Sequence, residues 1–158
     1  MTGGRCVADG RDMAMAAVAA ARAWLGTPYV HGASAQGAGA DCLGLVRGVW
    51  RALHGAEPET PGPYSAAWSE IDRDETLWRG AARHLREIAV AEAGPGDVVL
   101  LRMRERAAAK HLGVLAEDAQ GAPTLIHAYS GRGVVESALG DAWRRRIVAA
   151  FRFPGEAR

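Results

Sequence analysis

Ahead of Gly94-Pro95-Gly96-Asp97 the apolar side chains of this 158-residue chain recur every three or four residues, and beyond it they gather into short unbroken runs parted by turn residues. The first pattern makes one stripe on a helix, and the second suits strands. Helices followed by strands predict an α+β domain in which N-terminal helices pack on a central antiparallel β-sheet. From about Asp12 to Leu25 a run of good helix formers has an Asp at its start and Gly26 just past its end. From Asp41 to Leu53 a second stripe joins Cys42, Leu43, Val46, Val49, Trp50 and Leu53, with Asp41 as the N-cap. A third helix is expected over about Asp74 to Glu87. Strands are expected at Val98 to Leu101, His111 to Ala116, Thr124 to Ala128, Val134 to Ser137 and Val148 to Phe153. Thr27 to Gly39 and Glu57 to Ser65 have the Pro and Gly content of loops.

A chain of this length is expected to be a single domain over residues 1–158, with a core over about 12–153 and flexible termini, and it can bury roughly 68–70% of its unfolded surface without disulfides or metals. Its 19 basic and 18 acidic residues leave a formal net charge of +1. Apart from Arg144-Arg145-Arg146 and Arg102 to Arg106 the basic residues are scattered, so no nucleic-acid partner is implied. Lys110 is the one lysine, and the arginine, alanine and glycine content reads as GC-rich coding. No stretch approaches ~20 uncharged apolar residues, so no membrane span is expected. Met1-Thr2-Gly3-Gly4-Arg5 lacks the parts of a secretory signal, which makes synthesis in the cytoplasm the expectation.

Both cysteines, Cys6 and Cys42, are expected to be free, because Cys6 lies in a Gly/Arg/Asp-rich N-terminus with little to anchor it. Cys42 falls in the first turn of the second helix. There the backbone N–H groups have no helical partner and the dipole is positive, a setting expected to push the thiol toward thiolate. Cys42 is therefore the candidate nucleophile.

Five histidines are available as its base. His54 lies at a helix end, where the dipole favours a cation, and His84 sits on a helix beside Arg83 and Arg86, so structural or solvated roles suffice for both. His31, in the loop before Cys42, stays open. His111 and His127 lie in predicted strands, and neighbouring antiparallel strands can show both imidazoles on one face. A cysteine nucleophile needs a base, and the base needs a third group to fix its tautomer; Cys42, His111 and His127 supply that set. The same three types also suit zinc, an alternative disfavoured because no close pair of CxxC or HxxxH type occurs.

Five blocks in order resemble the NlpC/P60 cysteine peptidases, papain-like enzymes that cut peptide links in bacterial cell walls. They are Gly26-Thr27-Pro28-Tyr29-Val30, Asp41-Cys42-x-Gly44-Leu45-Val46, Pro95-Gly96-Asp97-Val98-Val99, His111-x-Gly113-Val114 and Leu125-Ile126-His127-Ala128. The resemblance implies a papain-like fold and amide hydrolysis without a cofactor or metal. In it Cys42 is the nucleophile, His111 the general base and acid, and His127 the residue that orients His111. Tyr29 is similar to the family tyrosine whose hydroxyl lies near the oxyanion site, and Asp41 to the aspartate that helps receive the substrate's charged end. The implied substrate is the peptide stem of peptidoglycan, at a D-glutamyl-diaminopimelate type of link.

Two positions depart from the family pattern. Leu43 stands where many members have Ser, and His31 where they have Trp. The Leu43 variant, the short chain and the absent signal look like the phage-type branch associated with tails of phages and gene transfer agents. That branch implies delivery to the cell wall on a phage-like particle, with tail or baseplate proteins as partners and the N-terminus, Arg144 to Arg146 and the residues after Pro154 as contact regions. The Glu57 to Ser65 loop is expected to border the cleft. A structural tail component with the same fold and little catalysis is the alternative, motivated by Leu43, and an acyltransferase is a third reading.

Overall fold

Unbroken apolar runs imply strands buried on both sides, and that is how the sheet is built. The computed structural model describes residues 10–57, 76–104 and 109–155. Helix α1 (Gly10–Arg22) is followed by a small hairpin, β1 (Ser34–Ala35) and β2 (Gly39–Ala40), and by α2 (Cys42–His54). After α3 (Thr76–His84) come β3 (Arg86–Ile88), a 3-10 turn at Val90–Glu92, β4 (Val98–Leu101), β5 (His111–Glu117), β6 (Pro123–Tyr129), β7 (Gly133–Ala138), α4 (Asp141–Arg144) and β8 (Ile147–Arg152). Six strands form one antiparallel sheet in the order β3-β8-β4-β5-β6-β7. The architecture is α+β, as the apolar pattern predicts.

One face of the sheet, with Val98, Leu100, Leu112, Val114, Ile126 and Phe151, shares a buried cluster with α1 and α2. The other face places Val99, Leu101, Leu115, Leu125 and Ala150 with Leu139, and Ile88, Trp143 and Ile147 pack against them. With both faces covered, each strand needs apolar residues at consecutive positions instead of alternating ones. The seat of Trp24, just past the end of α1, on α2 depends on Gly48, because a Cβ there would lie 2.0 Å from the Trp24 ring.

Several elements differ from the expectation. Helix α1 stops at Arg22, and Trp24 N–H and Leu25 N–H donate to Ala21 and Arg22 carbonyls in tighter three-residue turns. Helix α3 ends at His84 instead of continuing to Glu87, because Arg86–Ile88 leave the helix to pair with β8 at the sheet edge. The loop before Cys42 contains the β1–β2 hairpin, and α4 precedes β8. Most of the Glu57 to Ser65 loop lies outside the described residues, as does Cys6. At the end of α2, His54 does not become the favoured cation: it packs on Trp50 with ring centroids 4.5 Å apart, and burial lowers its pKa.

Two long-range ties complete the frame. Arg152 Nε and Nη2 each donate to the buried Asp97 carboxylate at 3.0 Å, closing β8 onto the turn before β4. Gly26 N–H donates to Val134 O at 3.0 Å and Val134 N–H to Thr27 O at 2.9 Å, so the segment leading to Tyr29 runs along the outer edge of β7.

Candidate active site

The first turn of α2 is fixed by backbone amides. Asp41 is extended (φ -98°, ψ -174°) and buried, and its two carboxylate oxygens accept from Gly44 N–H at 2.7 Å and Gly32 N–H at 2.8 Å. The first bond is the predicted N-cap. The second draws the preceding loop over the start of the helix. Gly44 answers the same crowding, since a Cβ there would lie 1.9 Å from the Ala33 carbonyl oxygen. Ser34 Oγ donates to Gly44 O at 2.6 Å, and Arg51 Nη2 holds Ser34 in turn.

Cys42 opens α2, partly buried and free of any disulfide. Its thiol donates to the Lys110 carbonyl at 3.6 Å, the residue before His111, which brings the sulfur to the start of β5. The helix-start expectation of a thiolate is overturned. Burial is the largest influence and pushes the thiol up to about 11. Amide hydrogen bonds from Leu112, Leu43 and Cys42 itself favour the thiolate, but the neighbouring Asp41 charge opposes it and desolvation prevails.

The two strand histidines meet. His111 Nε2 and His127 Nδ1 are 2.8 Å apart, and His127 Nε2 lies 3.2 Å from Ser137 Oγ. β5 and β6 are neighbours in register, so the first residue of β5 and the fifth of β6 face one another on the side of the sheet away from α1 and α2. Burial, with the His127 charge adding to it, lowers His111 to about 3, and burial lowers His127 to about 4. Both imidazoles are neutral at neutral pH. With Nε2 of His111 engaged by His127, Nδ1 is the ring nitrogen left for a nucleophile.

Tyr29 reaches this region through a single bridge to Ala40, the residue before Asp41. Burial and the charges of Cys42 and Asp41 raise its pKa, which keeps its hydroxyl a donor. His31 Nδ1 stands 3.9 Å from Asp41 Oδ2, and Leu43 packs against the main core. Sequence reasoning missed three neighbours of the histidines: Ser137, Tyr129 and Trp143. The Trp143 ring meets His127 edge-on at 4.9 Å and 85°, and lies over His111 at 6.1 Å and 30°. Tyr129 lies 5.7 Å from both His127 and Trp143. Ser137 had been visible only as the last residue of a strand, and α4 is too short to announce itself by periodicity. Among the described residues, no three His, Cys, Asp or Glu side chains are grouped as a metal set, and no helix is long and apolar enough to cross a membrane.

The chain is similar in fold to several solved structures. The NlpC/p60 domain of the peptidoglycan hydrolase SagA is 24% identical, with a TM-score of 0.56 over 89% of this chain and 98% of that one. NlpC2 from Trichomonas vaginalis is 17% identical, with a TM-score of 0.62 over 89% of this chain and 46% of that one. NlpC1 from Trichomonas vaginalis is 20% identical, with a TM-score of 0.55 over 90% and 44%. This chain thus spans less than half of either Trichomonas protein. No curated protein sequence matches it. The sequence profile of the NlpC/P60 family matches residues 26–152, which take in Tyr29, the Cys42 helix and both strand histidines, and the chain belongs to the NlpC/P60 family.

Proposed function

We propose that this protein is a cysteine peptidase that hydrolyses peptide links of bacterial peptidoglycan, with Cys42 as nucleophile, His111 as general base and acid and His127 as the group that orients His111. The observation that carries this reading is the 2.8 Å contact between His111 Nε2 and His127 Nδ1, with the Cys42 thiol on the carbonyl of Lys110, the residue before His111. It leaves His111 Nδ1 as the proton acceptor. The description of the SagA domain as part of a peptidoglycan hydrolase supports the substrate class.

Because the thiol and both imidazoles rest neutral, the thiolate–imidazolium pair is not the ground state. His111 Nδ1 takes the proton from Cys42 Sγ as sulfur attacks the carbonyl carbon, and the carbonyl oxygen becomes the oxyanion. The Cys42 N–H and the Tyr29 hydroxyl are the donors for that oxyanion. His111 then gives its proton to the leaving amine, and water activated by the same nitrogen clears the thioester. Asp41, whose oxygens bind two backbone amides, holds the helix start, and in this reading it also helps receive the substrate's charged end.

The finer reading is cleavage at a D-glutamyl-diaminopimelate type of link by an enzyme carried on a phage-like tail, after synthesis in the cytoplasm. Leu43 in place of a serine supports the tail-associated branch. One observation favours the alternative of a structural tail component with little catalysis: a buried thiol raised to about 11 is a slow nucleophile unless substrate binding activates it. Purified peptidoglycan incubated with wild type and with Cys42→Ala separates the two. Release of new amino groups should fall by at least about 10³-fold in the variant. Equal release from both, or none from either, removes the peptidase.

A further inference from the structure

One proton lies between His111 Nε2 and His127 Nδ1, and its place decides whether the pair can act on a thiol. With that proton on His127 Nδ1, neutral His111 carries its own on Nδ1 and has no lone pair there to receive another. With it on His111 Nε2, His127 Nδ1 accepts, and neutral His127 must carry its proton on Nε2. Only the second arrangement survives proton transfer, because an imidazolium at His111 donates from both nitrogens. The partner of His127 Nε2 therefore governs the site.

That partner is Ser137 Oγ, 3.2 Å away. The register of β6 and β7 pairs His127 with Val135 and Leu125 with Ser137, so Ser137 is the diagonal neighbour of His127 on the same face. A hydroxyl donates or accepts as its surroundings direct, and water would compete for either imidazole. The ring of Trp143 stands edge-on to His127 at 4.9 Å and Tyr129 lies 5.7 Å from it, so two aromatic rings flank that imidazole. Arg146 sits outside them, its guanidinium 5.8 Å from the Trp143 ring.

We infer that Ser137 is a positioning residue of this site: its oxygen accepts from His127 Nε2–H, which makes His127 Nδ1 the acceptor for His111 and leaves His111 Nδ1 open to the thiol proton. The relay moves no proton beyond His111; His127 and Ser137 keep theirs. The inference rests on the roles proposed above for Cys42, His111 and His127.

Its test needs no substrate at the first stage. Nitrogen-15 NMR of the imidazoles near pH 7 distinguishes ring protons on Nδ1 from those on Nε2. Both His111 and His127 of the wild type should be Nε2–H tautomers. Ser137→Ala should redistribute the His127 tautomer and lower kcat on peptidoglycan roughly tenfold at unchanged KM, the size of one lost hydrogen bond. Ser137→Thr should restore both. A wild-type His127 protonated on Nδ1, or tautomers unaffected in Ser137→Ala, overturns the inference. The expected tautomers in a protein that leaves peptidoglycan intact uphold the relay and reject the peptidase reading instead.

Discussion

The cysteine end and the histidine end of this site are held by different kinds of interaction. Cys42 is positioned locally: the Asp41 carboxylate holds two backbone amides and the Ala33 carbonyl presses against Gly44, all between Gly32 and Gly44. His111 and His127 are positioned by side chains from four separate elements, β5, β6, β7 and α4. The first end sets where a sulfur sits, and the second sets where a proton sits. Damage at the first should disturb folding and chemistry together, whereas damage at the second should disturb chemistry first.

Four measurements can break or sharpen that contrast. The largest effect belongs to His111→Asn, for which peptidoglycan turnover should drop by about 10³-fold, the scale of a lost general base, while stability moves by roughly 1 kcal/mol or less. A large fall in thermal midpoint would show that the histidine end also carries the fold. Gly44→Ala should cost about 3 kcal/mol in denaturant unfolding, because its Cβ meets the Ala33 carbonyl oxygen and a backbone atom cannot swing away. An unchanged unfolding midpoint would mean that the helix start yields easily. Asp41→Ala should cost about 2 kcal/mol, from the lost cap and the stranded Gly32 amide.

The fourth measurement is a pH dependence. His111 and His127 have folded-state pKa values of about 3 and about 4, below the ordinary 6.5, so between those limits the unfolded chain binds more protons. Stability is full above about pH 6.5 and declines as acid is added toward pH 4. Thermal melts across that window should show the decline in wild type and a shallower one in His111→Asn. Parallel curves would argue against buried neutral imidazoles.

The two ends also differ in how far the amino-acid sequence exposes them. The Asp41 cap, the Cys42 stripe and Gly44 are local, and reading along the chain finds them. The histidines could be chosen because each stood in an apolar run, yet their contact depends on strand register that no single segment encodes. The place of Ser137 beside His127 depends on the same register, two residues off the pairing partner of His127, while Trp143 sits on a four-residue helix too short to show a period. β3 was hidden by Arg86 and Glu87, whose charges suit an edge strand with one free side. The thiol's protonation was misjudged because a helix field is legible in sequence and burial is not.

The backbone bonds from Gly26 and Thr27 to Val134 have a consequence outside catalysis. β7 is the last strand of the sheet, and an open row of amides and carbonyls invites another copy to add a strand and begin aggregation. The segment that delivers Tyr29 lies across part of that row. Loosening it would expose that row and shift Tyr29 together, so the same few residues guard the sheet edge and hold the tyrosine proposed above as an oxyanion donor.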